Sequence, residues 1–267
     1  QGLYPPGSVF KTVTLLEYLR EHQYETGGFS FDCKGKVTTG DTSISCYKGK
    51  KHGELNLTKA FDKSCNGAFA EIGRNLDISA FQSLADQLLF NKELPLDFPY
   101  SKSSFSLKES DPDVLKMMTA IGQGNTLVTP VHMAMLMSAI ANDGVLMKPR
   151  FLERTESYTG TLVERYPEET YGSIMTQEEA ELLQMFLRTV VEDGTASALK
   201  SSIYEASGKT GTAEYSSDKK KSHAWFTGYA TDGERKLAVA VIVEGAGSGS
   251  EYAVPIAGKI FDAYFGK

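Results

Sequence analysis

Near its C-terminus the chain carries a run that constrains the fold more than any other stretch. From Lys236 to Glu244, Leu237, Val239, Val241 and Val243 alternate with Ala238, Ala240 and Ile242. Both sides of that run are apolar and branched residues dominate it, which predicts a strand buried on both faces. Thr231-Asp232-Gly233-Glu234 before it reads as a hairpin turn, and His223–Thr231, rich in aromatics and threonine, reads as its partner strand. Ala206–Glu214 offers a third strand, and a final helix is expected from about Val254 to Phe265.

Upstream the period is helical. Val13, Leu16 and Leu19 recur at helix spacing after the rigid turn Pro5-Pro6-Gly7, predicting a buried helix from Lys11 to about Glu21. Residues 30–57 are polar, broken by glycines, and expected to be loop. Thr58 is expected to cap a short helix to Lys63, and Ser79 with Gln82 to form a capping box. Asp111-Pro112 and Thr129-Pro130 each read as a cap followed by a first-turn proline. The second of these opens a helix whose Met133, Met135 and Met137 read as core filler. Residues 91–110 are a Ser-rich connector and 146–172 short strands and turns, while Thr176 with Glu179 caps a helix stopped by Asp193-Gly194. A helical middle followed by an antiparallel sheet and a closing helix is an α+β pattern: a helical subdomain plus an antiparallel sheet flanked by helices.

Bulk properties exclude some functions. The chain has 267 residues and a net charge of −6, which argues against non-specific nucleic-acid binding through a basic face. The short basic run Lys219-Lys220-Lys221 reads as a solvated loop. No segment has the about 18–20 apolar residues a membrane span needs. Cys33, Cys46 and Cys65 fit no zinc pattern, lie far apart and lack histidines at ligand spacing, so no metal is expected. Cys33 and Cys46 can form a disulfide if the domain is extracytoplasmic.

Three motifs carry chemistry. Ser8 and Lys11 stand at i and i+3 where a helix begins, so a hydroxyl and an amine share one face. A buried lysine of lowered pKa can serve as the base a serine nucleophile needs. In Ser64-Cys65-Asn66, alternate residues bring a hydroxyl and an amide to one point: Ser64 can pass a proton between Lys11, Lys209 and a leaving amine, and Asn66 can hold Lys11 and a substrate amide. Gly208-Lys209-Thr210 is not a P-loop tail, because position 203, where that motif needs glycine, is isoleucine. As part of a strand, Lys209 offers a fixed positive charge beside Ser8 and Gly211 lets a substrate backbone lie close. The backbone N–H groups of Ser8 and Thr212 offer an oxyanion hole. Alone, each motif has an ordinary structural explanation as a helix start, a turn or a strand.

S-x-x-K, S-x-N and K-T-G in that order are a known signature set, and with them the chain resembles the transpeptidase domain of class B penicillin-binding proteins. The resemblance extends through Tyr4–Lys11, His52-Gly53 with Leu57, Ile121-Gly122-Gln123-Gly124 with Thr129-Pro130, Gly194-Thr195-Ala196, Lys209–Glu214 and Ala224–Tyr229, over nearly the whole chain. It implies a β-lactamase/transpeptidase-like fold and D,D-transpeptidase activity in peptidoglycan synthesis, cell-wall biogenesis and cell shape, without a cofactor. Ser8 would attack the penultimate D-Ala of a stem peptide ending in D-Ala-D-Ala, and β-lactam antibiotics would acylate it. Lys209 and Thr212, with Thr210 nearby, would bind the terminal carboxylate. The resemblance also implies work at the outer face of the bacterial cytoplasmic membrane, among cell-wall synthesis proteins.

Two departures stand out. Cys65 occupies the middle of S-x-N, where many β-lactamases have Asp. Only seven residues precede Ser8, whereas the family's first strands normally come earlier, so residues 1–267 are expected to be a fragment without upstream strands, pedestal or membrane anchor, with an exposed sheet edge. Three readings compete: a β-lactam sensor that acylates once, a D,D-carboxypeptidase, and a serine β-lactamase, the last disfavoured because no E-x-x-L-N stretch supplies a deacylating base. No G-x-S-x-G elbow supports a triad hydrolase, and His22, His52, His132 and His223 show no matching partner pattern.

Overall fold

A 3₁₀ turn, Gly7–Phe10, follows the two prolines and runs directly into helix α1, Lys11–Glu21. The computed structural model describes residues 2–214 and 222–266; the Lys219–Lys221 run lies outside the described residues. Every residue of α1 from Lys11 to Leu19 is buried, as befits a helix packed on all sides.

The loop expected over 30–57 is corrected. Strands β1 (Phe31–Cys33), β2 (Lys36–Thr39), β3 (Thr42–Ser45) and β4 (Gly53–Leu55) form two ribbons, β1 with β4 and β2 with β3. They are too short and polar for a sequence period to reveal, and tertiary packing against the helices holds them.

Helix α2 (Leu57–Asp62) is capped by Asn56, whose side chain accepts from Lys59 N at 2.9 Å, rather than by Thr58. Helix α3 spans Asn66–Asn75 and α4 Ile78–Gln87. The Ser79–Gln82 box is also corrected: the Asp77 carboxylate takes both Ser79 N and Ala80 N, and Gln82 donates to Leu107 O at 2.6 Å. A carboxylate at the helix start outcompetes a hydroxyl two residues on, because it satisfies two orphan N–H groups and favours the positive end of the dipole. Before α5 (Asp113–Ala120), Pro112 takes the cap position and Asp111 instead accepts from Lys108 N. Helix α6 (Pro130–Ala141) starts at Thr129 as expected, and Met133, Met135 and Met137 are core residues.

Between 145 and 173, β5 (Val145–Met147), β6 (Arg154–Glu156), β7 (Leu162–Arg165) and β8 (Thr170–Ser173) pair as β5 with β8 and β6 with β7. Helix α7 (Gln177–Glu192) has the expected capping box, with Thr176 Oγ1 accepting from Glu179 N and Glu179 Oε2 from Thr176 N. The same Glu179 accepts from Arg20 Nε at 2.6 Å, tying α7 to the end of α1.

The main sheet has the order β11-β10-β9, with β9 at Glu205–Glu214, β10 at Ser222–Thr231 and β11 at Lys236–Val243, all antiparallel. Helices α6 and α7 pack on this sheet, as does α8, Gly249–Phe265. Helix α8 begins before the expected Val254 because Ser248 caps it, accepting from Glu251 N. The expectation of a strand buried on both faces holds only in part. Val239 and Val241 are buried, but Leu237, Ala238, Ala240, Ile242 and Val243 are half-buried, since β11 is an edge strand. Among the described residues, no helix is long and apolar enough to cross a membrane.

Candidate active site

Ser8 occupies the second position of the 3₁₀ turn, not the first turn of an α-helix. Side chains at i and i+3 eclipse in a 3₁₀ turn, so the change of helix type brings Ser8 and Lys11 onto one side, and Lys11 N donates to Ser8 O. The turn is wedged against β9. Gly7 has φ +55°, and a Cβ there would lie 2.7 Å from Thr212 O; a Cβ on Gly211 would lie 3.0 Å from Val9 Cγ1. Glycine at both positions lets the turn and the strand touch backbone to backbone. The Ile121–Gly124 segment secures this contact. Gly122 O accepts from Gly7 N at 2.8 Å, and the Gln123 amide, oriented to satisfy its neighbours, bridges Glu214 N and O at 3.2 Å each. Trp225 Nε1 donates to Pro5 O at 3.1 Å from the adjacent strand, holding the proline entry.

Lys11 is completely buried. Its Nζ donates to Ser64 O at 2.9 Å, Ser64 Oγ at 3.3 Å and Asn66 Oδ1 at 2.7 Å. Burial lowers its pKa to about 8, with the nearby Cys65 and Cys46 thiols pulling the other way. An amine with that pKa is available in neutral form close to neutrality, as a general base requires.

The S-x-N stretch owes its shape to a helix ending. Ser64 N donates to Phe61 O and Cys65 N to Ala60 O, the bond pair of a Schellman cap. That cap puts Ser64 in the left-handed region, φ +53°, where glycine is the usual occupant. Cys65 caps the next helix, and Asn66 begins it. Asn66 is gripped on both sides, since its Nδ2 donates to Ser45 O at 2.9 Å while its Oδ1 holds Lys11.

Lys209 is held within the strand's surroundings. It is completely buried, donates to Thr210 O at 3.2 Å and lies 5.4 Å over the Phe61 ring. Burial and the neighbouring Lys11 charge push its pKa well down, against a smaller pull from Asp62. Thr210, Gly211 and Thr212, by contrast, line an open cleft of about 1080 Å³ together with Ser8, Ser64 and Asn66. Sequence reasoning assigned no role to Thr195, which also lines the cleft. Its Oγ1 lies 2.5 Å from Thr210 Oγ1 and its N donates to Asp62 O at 3.3 Å. Its signal was present in the Gly194-Thr195-Ala196 stretch, but a threonine after a helix-stopping glycine has no reading until the strand beside it is known.

A nucleophile candidate, a buried amine one turn away, a hydroxyl beside that amine and an edge strand along the cleft form an arrangement suited to acyl transfer. The family profile of the penicillin-binding protein transpeptidase domain matches residues 1–262. The chain belongs to that family. It is 28% identical over 269 residues to the peptidoglycan D,D-transpeptidase PbpA of Mycolicibacterium smegmatis, covering 95% of this chain and 53% of the relative. It is 28% identical over 268 residues to the stage V sporulation protein D of Bacillus subtilis, covering 96% and 41%. The chain thus spans about half the length of the curated relatives it matches. The D,D-transpeptidase domain of a peptidoglycan glycosyltransferase from Eggerthella lenta superposes with a TM-score of 0.87 at 25% identity, covering 99% of this chain and 66% of that one. Penicillin-binding protein A of M. tuberculosis, solved as a ceftriaxone acyl-enzyme, gives 0.87 at 23% identity, covering 98% and 60%.

One feature of this transpeptidase-family chain overturns a sequence expectation. Cys33, Cys46 and Cys65 are not isolated from one another or from histidine. With His52 they present four ligand atoms that all lie within 4.8 Å of one another. The segments meet because the two short ribbons fold back onto the start of α3, which no local spacing encodes. All three cysteines are free thiols, so the Cys33–Cys46 disulfide is not formed.

Proposed function

We propose that the chain is the catalytic domain of a D,D-transpeptidase that cross-links peptidoglycan stem peptides. Ser8 Oγ attacks the carbonyl of the penultimate D-Ala; the new ester bond forms as the D-Ala–D-Ala amide breaks. The Ser8 proton passes to Lys11 Nζ and then, through Ser64, to the departing D-Ala amine. The Ser8 and Thr212 N–H groups hold the oxyanion, and an amine from a neighbouring strand takes the acyl group, completing the cross-link. Thr210, Gly211 and Thr212 line the substrate's path along β9, whose outer edge is unpaired among the described residues and can accept an extended peptide. Thr210 and Thr212 take the terminal carboxylate, with Lys209 beneath them contributing the protonated form of a buried amine.

The observation that carries this reading is Lys11: an amine buried completely, lowered to about 8 and held by Ser64 and Asn66 one turn from Ser8. The relatives support this substrate class, since PbpA and its counterparts are named peptidoglycan D,D-transpeptidases and one solved neighbour carries a β-lactam as an acyl-enzyme. A further neighbour, at a TM-score of 0.81 and 25% identity, belongs to a peptidoglycan synthase complex. On this reading the domain works within a longer protein at the outer face of the cytoplasmic membrane, alongside other cell-wall synthesis proteins.

The test is covalent labelling with a fluorescent penicillin, followed by peptide mapping. A long-lived adduct on Ser8 that disappears in Ser8→Ala is the expected result; folded wild-type protein that stays unlabelled overturns the proposal. Turnover of the adduct within seconds would instead make the chain a β-lactamase. Cross-linking of a synthetic stem peptide to an acceptor amine separates a transpeptidase from a sensor, which releases no D-Ala, and from a carboxypeptidase, which uses water alone.

A further inference from the structure

Lys48 and Lys50 stand on the rim of the catalytic cleft, in a chain whose net charge is −6. Both belong to the 3₁₀ turn Tyr47–Gly49 that follows β3, Lys48 inside it and Lys50 as its cap. Among the described residues neither has a carboxylate partner; Lys48 Nζ lies 5.1 Å over the Tyr47 ring. Lys63, also on the cleft, is by contrast 3.9 Å from Asp62 Oδ1. We propose that Lys48 and Lys50 form a subsite for a second carboxylate of the donor stem peptide, one internal to the peptide rather than at its end.

The turn is tied down at several points. Gly49 N donates to Cys46 O at 2.8 Å and Lys50 N to Tyr47 O at 3.2 Å, with Lys48 at φ +53° between them. Its base packs on the start of the β2–β3 ribbon: Cys46 N donates to Gly35 O at 2.9 Å, and a Cβ on Gly35 would lie 2.6 Å from Gly49 O. The face of the Tyr47 ring attracts the Lys48 ammonium and limits where it points. Ser45, directly before Cys46, accepts from Asn66 Nδ2 at 2.9 Å. The turn therefore stands beside the Asn66 clamp, along the cleft that the donor peptide occupies. The β9 and α8 side of the same cleft carries Glu214 and Glu251, so an anionic group is drawn to the wall that holds the two lysines.

An internal carboxylate fits what the reaction demands. The terminal carboxylate departs with the D-Ala it belongs to, so the contacts of Thr210 and Thr212 with it end once Ser8 is acylated. A carboxylate further up the donor stays on the acyl chain. Held by Lys48 and Lys50, it keeps the acyl-enzyme seated while the acceptor amine arrives. A carboxamide at the same place carries no charge and loses both ion pairs. Two solvent-exposed lysine–carboxylate pairs together are worth about two- to thirtyfold, and salt screens them. This subsite deepens the transpeptidase reading and rests on it.

The experiment compares two donor peptides: L-Ala-γ-D-Glu-L-Lys-D-Ala-D-Ala, with its lysine side chain acetylated, and the same peptide with the glutamate α-carboxylate converted to carboxamide. D-Ala release is followed with the same acceptor amine throughout. The wild-type chain should favour the free carboxylate by about two- to thirtyfold in kcat/KM, and the preference should shrink as salt rises from about 20 mM to about 500 mM. Lys48→Gln combined with Lys50→Gln should bring the two peptides to within about twofold of each other. Lys92→Gln, which removes an exposed charge away from the cleft, should keep the wild-type preference. Equal turnover of the two peptides by wild type overturns the subsite, as does a preference that survives in the double variant or is lost equally in Lys92→Gln. NMR titration of Ser8→Ala with each peptide makes the same comparison without turnover. If wild type releases no D-Ala but Ser8→Ala favours the free carboxylate through the two lysines, the subsite stands and the transpeptidase reading falls. If wild type releases no D-Ala and Ser8→Ala binds both peptides equally, or neither, the subsite falls.

Discussion

Ser64 combines a strained backbone with a proposed proton relay, and two substitutions separate them. Its φ of +53° places a non-glycine residue at the left-handed cap position. That conformation costs an L-residue about 1–2 kcal/mol. Glycine removes this cost but returns about 0.5–1 kcal/mol as extra freedom of the unfolded chain. Ser64→Gly should therefore leave the domain about 0–1.5 kcal/mol more stable, raising Tm by at most about 3–6 °C. The Lys11 contact to Ser64 O, 2.9 Å, and to Asn66 Oδ1, 2.7 Å, survive this change, while the 3.3 Å contact to Ser64 Oγ is lost. Ser64→Ala loses the same hydroxyl but keeps the strain, so it should melt below Ser64→Gly. Both should acylate slower than wild type by a similar factor of about 10²–10⁴, the usual worth of a positioned proton-transfer group. Calorimetry and stopped-flow penicillin labelling read the two effects separately. A glycine variant that melts below the alanine variant refutes the cap argument. A glycine variant that acylates at the wild-type rate refutes the relay.

Three further outcomes follow from the same geometry. Because burial lowers Lys11 to about 8, and only the neutral amine accepts the Ser8 proton, wild-type acylation should climb about tenfold per pH unit below 8 and level off above it, as a pH–rate profile will show; Lys11→Ala should abolish that rise. Gly7→Ala meets both a φ of +55° and Thr212 O at 2.7 Å, so it should destabilise the domain by about 1–3 kcal/mol in denaturant melts and slow Ser8 labelling as the turn leaves β9. Thr176→Ala removes half of the α7 capping box and should cost about 1 kcal/mol in thermal unfolding while leaving penicillin labelling at the wild-type rate, since the cap is remote from the cleft.

Much of the architecture is local and so was legible in residue order. The hairpin turn at residues 231–234, the strands on either side and the Thr129 and Thr176 caps all rest on neighbours within a few positions, and each lies where the sequence puts it. The ribbons of residues 31–55 were not legible, because strands of three or four polar residues carry no period and exist through what they pack against. Caps were misread wherever two short polar residues stood close together. Asn56 and Asp77 cap because their side chains reach the free N–H groups of the first turn, a reach that residue order alone does not show.

Ser8, Lys11, Ser64, Asn66 and Lys209–Thr212 are legible in the sequence because three short motifs stand in one order along it, and their types supply a hydroxyl, an amine and an amide. The sequence by itself thus determined the chemical inventory, the α+β order and the family. Tertiary structure alone decided the rest. It buried Lys209 completely, joined Thr195 to Thr210, and made an edge of β11. It also gathered three cysteines and a histidine, distant along the chain, to within 4.8 Å of one another. The physical reason is the same each time. Burial, desolvation and proximity are properties of the packed assembly, and residues far apart in sequence acquire them only when the ribbons, helices and sheet close on each other.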